Sequence, residues 1–224
     1  MLVNKDTAIR MTSLLMVPYE AHHETRRRCG SESLSLNEEY SMQANLPNKK
    51  DRLTFIVCLP IPTENSAQDA DVRAGQDDKP DRMIGIVNVL LSFENLVDDD
   101  LCVPLYLDTN FNVVITSKLH QGQGYERIIL MALVSYMGSV EGAIFEEIMP
   151  GYDKDDDAED FREISIIFGA KLKKENMDRR GEYETMGFRQ IYEENNLGET
   201  TFRIIRGYVR LGKEENCHHV GYVR

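Results

Sequence analysis

Short apolar runs, most of them β-branched or aromatic, alternate along the chain with polar stretches rich in glycine, asparagine and aspartate. Runs of this length bounded by turn residues predict buried strands. The first is residues 11–17 (MTSLLMV), ending at Pro18. Residues 54–59 (TFIVCL) and 83–93 (MIGIVNVLLSF) follow, the latter being the strongest strand signal in the chain. Residues 103–119 read as two strand-like pieces broken at Asp108-Thr109-Asn110, and 164–168 as one further strand. Two last strands, 188–193 and 201–209, meet at a turn around 195–198, where Asn196 and Gly198 supply the backbone freedom of a hairpin.

Helical periodicity appears in three places. Ser35 and Glu38 have capping-box spacing ahead of a helix over about 36–43. Tyr125, Ile128, Ile129, Ala132, Leu133, Tyr136 and Met137 recur on one helix face, and Leu130, Met131 and Val134 make the other side apolar, which predicts a largely buried helix. Residues 171–186 read as a polar helix stopped by Gly187. Residues 60–82 read as a flexible loop, 149–163 as a solvated acidic insertion and 210–224 as a tail. The order β, α, β, β, β, α, β, α, β, β, without internal repeats, predicts one α/β domain spanning residues 1–224.

Charge narrows the partners. With 26 Lys and Arg against 38 Asp and Glu, the 224-residue chain carries a net charge of -12. That balance disfavours a broad phosphate-binding face and hence nucleic acid. No apolar run is long enough for a membrane helix, and the N-terminal residues lack the pattern of a signal peptide. Cys29, Cys58, Cys102 and Cys217 are scattered without metal or disulfide spacing, which suits a reducing compartment, the cytoplasm or the nucleus.

The candidate chemistry centres on Gln121-Gly122-Gln123-Gly124, set between a strand and a helix. Small residues opening a helix turn free N–H groups outward at the positive end of its dipole, an arrangement that suits a pyrophosphate. A tight turn with no ligand has the same composition. Tyr125-Glu126 lacks the Lys-Ser/Thr ending of a Walker A loop, and the third glycine of a dinucleotide fingerprint is absent. Further on, Asn176 and Tyr183 are two helical turns apart and precede Gly187-Phe188. Without a ligand, the same residues describe a C-capped helix with Tyr183 in the core. His22-His23 and Cys217-His218-His219 read as surface or tail residues, because adjacent side chains diverge too far to share one metal ion. Asp98–Asp100 and the 153–160 run read as solvated acids, so no metal is expected. Arg26–Arg28 read as a solvated loop.

Together the two constellations resemble the GNAT N-acetyltransferase superfamily. Its loop, Gln/Arg-x-x-Gly-x-Gly/Ala, corresponds to Gln121–Glu126, and its later Asn, Tyr and Gly-Phe correspond to Asn176, Tyr183 and Gly187-Phe188. Val17-Pro18-Tyr19, residues 31–43, Thr54–Val57, Met83–Val89 and Phe168–Lys171 resemble the N-acetyltransferase 9-like branch, with similarity over about residues 11–205. The resemblance implies a GNAT fold, a central mixed, mostly antiparallel sheet flanked by helices, here with an acidic insertion. It implies acetyl-CoA as co-substrate and a protein or peptide amine as acceptor, with tubulin or microtubules as partner. Gln121, Gly122, Gln123, Gly124, Tyr125 and Glu126 would bind the pyrophosphate, Val113, Val114, Ile115 and Thr116 would lie along the pantetheine arm, and Asn176 would hold the cofactor or a splayed strand edge. Tyr183, a phenol with a pKa of about 10, would protonate the departing thiolate. The chain departs from the pattern at Glu126, where Gly or Ala is usual, at Gln121, where Arg is common, and in 110–114, which lack a carboxylate. Glu94, or Asp98, just beyond the strong strand, would then supply the base. The same departures describe an alternative, a GNAT-fold binding module without catalysis.

Overall fold

The structure, a computed structural model, describes residues 3–20, 23, 51–62, 70–94, 106–148, 165–173, 180–192, 198–205 and 217–224. Among these residues the strands are β1 (Thr7–Arg10), β2 (Leu15–Pro18), β3 (Arg52–Cys58), β4 (Val72–Arg73), β5 (Met83–Glu94), β6 (Tyr106–Ile115), β7 (Ser165–Lys173), β8 (Arg189–Tyr192), β9 (Glu199–Ile205) and β10 (His218–Val223). The helices are α1 (Tyr125–Ser139), α2 (Glu141–Ile148) and α3 (Arg180–Thr185). The chain divides into two compact units that interleave in sequence. Unit one comprises 1–88, 113–148 and 213–224, and unit two comprises 89–112 and 149–212. Strands β5 and β6 contribute residues to both.

In unit one the hydrogen-bonded order is β4-β10-β1-β2-β3-β5-β6. Every residue of β2, and all of β3 after Arg52, is buried. Two covered faces explain why these strands read as unbroken apolar runs rather than alternating ones. Ala8, Leu15, Val17, Ile56, Cys58 and Val220 share one cluster with Met83 and Tyr222. Elsewhere in the unit Phe55 meets Tyr136 of α1 edge to face at 5.5 Å. Burial pushes the Tyr136 phenol up, and its O–H donates to the Val3 carbonyl at 3.2 Å. Helix α1 buries Ile129, Leu130, Ala132, Leu133, Val134, Tyr136 and Met137, as its two apolar sides predict.

The start and the end of the chain differ from the sequence expectation. The strand expected over 11–17 is the second arm of a hairpin. Met11–Leu14 is the turn, closed by the Met11 N–H donating to the Leu14 carbonyl at 2.9 Å, and β1 precedes it. The polar Thr12-Ser13 pair is a turn signal inside an apolar run. Residues 218–223, expected within a tail, form β10, which pairs antiparallel with β1 (Thr7↔Gly221 to Arg10↔His218) and parallel with β4.

The described part of the 60–82 segment, expected to be flexible, is built around a buried carboxylate. Asp78 has no exposed surface. Its Oδ1 accepts the Gly75 N–H at 2.6 Å, and its Oδ2 accepts the Tyr222 hydroxyl at 2.6 Å. His23 Nε2 lies 2.9 Å from the same Oδ2, while His23 Nδ1 accepts the Glu20 N–H at 2.8 Å. That second bond leaves the proton on Nε2, so the ring donates to Asp78. His23, expected at the surface, is 2% exposed and structural. Burial raises the Asp78 pKa, but the bonds from His23, Tyr222 and Gly75 outweigh it and hold the carboxyl well below its usual range. Polar composition concealed this order, because the polar groups are satisfied by one another rather than by water. Cys58 lies in the same unit, its thiol pushed up to about 12 by burial and then by the Asp78 charge, so it is an inert thiol.

In unit two the order is β6-β7-β9-β8. Strand β6 runs parallel to β7 from Tyr106↔Ser165 to Phe111↔Ala170, and β7 runs antiparallel to β9 from Ile167↔Ile205 to Lys173↔Glu199. The break expected at Asp108-Thr109-Asn110 is absent. Asp108 Oδ2 accepts from Arg203 at 2.9 Å and from Asn110 at 3.2 Å, and the Thr109 hydroxyl donates to the Ile167 carbonyl at 3.1 Å. Partners on β7 and β9 thus hold Thr109 and Asp108 in a strand, although their local preference is a turn. Lys171–Lys173 continue β7 instead of starting a helix, and α3 begins at Arg180. The helix expected over 36–43 and the acidic 149–163 segment lie outside the described residues.

Replacing Asp78 with Ala removes the carboxylate that the buried His23 and Tyr222 side chains and the Gly75 N–H share, and is expected to cost about 3–5 kcal/mol in urea unfolding. Because the folded pKa is depressed, the stabilisation by Asp78 is complete above the unfolded carboxyl pKa of about 3.9 and drains as pH falls below it. The wild-type midpoint should therefore fall below that pH by more than that of D78A.

Candidate functional site

The glycine loop is held from both ends. Strand β6 ends at Ile115, after which the Thr116 N–H and hydroxyl both donate to the Ile84 carbonyl, at 2.8 and 3.2 Å. A single 3-10 turn, Lys118–His120, leads to Gln121. Gly122 and Gly124 follow at φ of 72° and 77°, in the left-handed region that a side chain disfavours. No atom lies within 4 Å of where a Cβ would sit on either, so their backbones face open space. Gly124 is the N-cap of α1, and its side offers no oxygen to the first N–H groups of the helix. Glu126 lies in that first turn, where a carboxylate complements the dipole.

The side chains around this loop are committed unevenly. Gln121 Nε2 donates to the Ile115 carbonyl at 2.8 Å, clasping the loop onto the end of β6. Gln123 Nε2 donates to the Leu119 carbonyl at 2.6 Å. Val113 is half-buried, Val114 exposed and Ile115 buried, the alternation of a strand with one face covered. The Gln121 clasp had no signature in the sequence, because it joins a side chain to a main-chain carbonyl across a turn.

Tyr183 belongs to unit two and is described there. It lies in α3, 6% exposed, with its ring 5.7 Å from that of Phe188 and 5.9 Å from that of Phe202. The helix stops in a Schellman cap. Gly187 has φ 99°, its N–H donates to Glu184 at 3.0 Å, and the Phe188 N–H donates to Tyr183 at 3.0 Å. The Phe188–Tyr183 contact is the apolar pair that accompanies such a cap. Gly187-Phe188 is therefore read correctly as a stop signal, and the cap is what holds the Tyr183 ring in the core.

The remaining candidates separate. Glu94 ends β5, and its side chain lies outside the described residues, as do Asn176, Asp98–Asp100 and Arg26–Arg28. Asp108, two residues ahead of the stretch that lacks acids, is 2% exposed and ion-paired to Arg203, so it is not a solvent-facing base. His219 lies edge-on to Tyr136 at 5.3 Å, its pKa lowered by burial and then by His218. Among the described residues, no three His, Cys, Asp or Glu side chains gather as metal ligands.

Comparison with known proteins defines the class. No family model matches the chain. A spermidine N-acetyltransferase from Vibrio cholerae, solved with CoA and spermine, matches over 88% of this chain and 98% of its own, with a TM-score of 0.50 and 14% identity. The protein has a mixed α/β GNAT acetyltransferase fold.

The sequence resemblance is more particular. An N-acetyltransferase 9-like protein of Caenorhabditis elegans is 35% identical over 114 residues, 44% of this chain and 50% of that protein. The alpha/beta-tubulin-N-acetyltransferase 9 of Drosophila melanogaster is 28% identical over 148 residues, 61% of this chain and 66% of its own. The human alpha/beta-tubulin-N-acetyltransferase 9 is 29% identical over 111 residues, 41% of this chain and 54% of its own. The chain thus spans about half to two thirds of these curated relatives. The expected resemblance to N-acetyltransferase 9-like proteins is present, and these relatives bear the names of N-acetyltransferases.

Gly124→Ala is expected to lower stability by about 1–2 kcal/mol in urea unfolding, because the cost is conformational and not steric. Gly124→Asn should cost less, since Asn enters the left-handed region more readily. Equal stability of G124A and wild type would contradict the left-handed cap.

Proposed function

We propose that the chain is an acetyl-CoA-dependent N-acetyltransferase acting on a protein or peptide amine. The observation that carries the reading is the open loop Gly122–Gly124, poised at the N-terminus of a buried helix within a GNAT fold. The names of the relatives support transfer to an amine, and those of the fly and human proteins favour tubulin as acceptor; the proposed location is the cytoplasm. In this reading main-chain N–H groups between Gln121 and Glu126 bind the pyrophosphate, and Val113–Thr116 line the pantetheine arm. The amine, deprotonated by Glu94 or by water, attacks the thioester carbonyl directly. Tyr183 gives its proton to the departing thiolate, and Asn176 positions the cofactor. No metal takes part.

Two observations favour a second reading, a non-catalytic GNAT module. The Gln121 amide is engaged with the Ile115 carbonyl, and Glu126 brings a carboxylate to the loop, so neither side chain adds positive charge for a diphosphate. Thermal denaturation separates the two readings. Acetyl-CoA at a hundred times its dissociation constant should stabilise the fold by about 2.7 kcal/mol. Mass spectrometry of tubulin incubated with enzyme and acetyl-CoA should then show a 42-Da addition, about the mass of one acetyl group. Tyr183→Phe should keep the acetyl-CoA-induced stabilisation and lose about 100-fold or more in turnover. An absence of stabilisation at millimolar acetyl-CoA would favour the module.

A further inference from the structure

Unit two contains a cleft of about 900 Å³ that the acetyl-transfer reading does not use. A volume of this order matches that of ordinary ligand pockets. Its lining includes three arginines, Arg180, Arg189 and Arg203, with Phe188, Ile191 and Ile204 supplying apolar surface. With Glu184 the one acid among the described residues that line it, the cleft is cationic in a chain whose net charge is -12.

The arginines are brought there by sheet register. Arg189 of β8 lies directly opposite Arg203 of β9, so the two side chains share one face of the ladder. Opposed residues in antiparallel strands have Cβ atoms about 5 Å apart, and like charges at that distance destabilise the pair. Arg203 is relieved by Asp108 at 2.9 Å, and Arg180 pairs with Glu184 at 2.6 Å across one helical turn. Neither acid matches the second charge of the Arg189–Arg203 pair. An anion in the cleft would do so, and guanidinium forks suit carboxylates. Beside the charges, Ile191 is 49% exposed. Among the described residues β8 is the last strand of the ladder, hydrogen-bonded to β9 on one side, so its outer edge offers main-chain groups to an added strand.

We infer that this cleft docks an extended acidic peptide segment of a partner protein, its carboxylates on the Arg189–Arg203 face and an apolar side chain on Ile191. The site goes beyond the acetyl-transfer reading and does not rest on it.

Fluorescence anisotropy with the full chain tests it. The probe is a short labelled peptide with glutamate at alternate positions and isoleucine among the others; its counterpart has glutamine for every glutamate. The glutamate peptide is expected to bind at least about tenfold more tightly, although the protein as a whole repels it. Arg189→Glu should abolish that preference while not lowering the melting temperature, since it replaces a like-charge pair with an opposite-charge one, and should leave the acetyl-CoA-induced shift unchanged, which keeps this test independent of the acetyl-transfer reading. Arg180→Gln, at a half-exposed position, should weaken the preference and stands in if R189E fails to fold. Equal binding of the two peptides, an unchanged preference in R189E, or complete displacement by millimolar inorganic phosphate would overturn the proposal.

Discussion

The loop at the candidate site depends on the burial of α1. Seven of its side chains are buried, and the Ile, Leu, Val and Met among them contribute about 1.5–3 kcal/mol each where fully buried. The Tyr136 ring against Phe55 and the bond from its hydroxyl to Val3 anchor the helix within unit one. A helix held this firmly has a fixed N-terminus, so the amides at Gly124 and beyond point where the packing of the helix directs them. Gly124 in the left-handed region ends the loop without a side chain at the opening. The open placement of these amides is therefore a consequence of apolar packing some turns away.

A second, polar constraint complements this one. Asp78 gathers donors from residues far apart in sequence, His23, Gly75 and Tyr222, around a carboxylate with no exposed surface. Such a centre is favourable only when every donor arrives, because each missing partner leaves a charge buried in low dielectric. It ties β10 and the segment after β4 into one arrangement. Tyr222 illustrates the coupling: burial and the bond to Asp78 push its phenol up, so it remains a donor. In unit two the Schellman cap at Gly187 plays the corresponding local part, turning the chain from α3 into β8 and keeping Tyr183 against Phe188 and Phe202.

The candidate site divides into parts that were legible in the sequence and parts that were not. The strands 54–59 and 83–93 were legible as short apolar runs rich in β-branched residues and bounded by turn residues, and the buried helix from Tyr125 by apolar residues at helical spacing. So were the Gly124 N-cap and the Gly187 stop, which rest on backbone conformations that glycine adopts at least cost. β6 was read as two pieces because Asp108, Thr109 and Asn110 favour turns locally. Asp108 and Thr109 find their hydrogen-bonding partners in Arg203 and Ile167, dozens of residues away. β10 was missed for a similar reason: it is paired by β1, from the other end of the chain.

The sequence by itself determined the elements whose energetics are local, namely apolar periodicity, capping and glycine dihedrals, together with a resemblance carried by short motifs. Only the tertiary structure decided that Asp78 and His23 are buried partners, that Gln121 clasps the Ile115 carbonyl, and that Arg189 stands opposite Arg203. In each case the deciding term is a charge or polar group whose cost depends on what lies across space from it. Neighbours in the chain carry no information about that distance, and folding sets it.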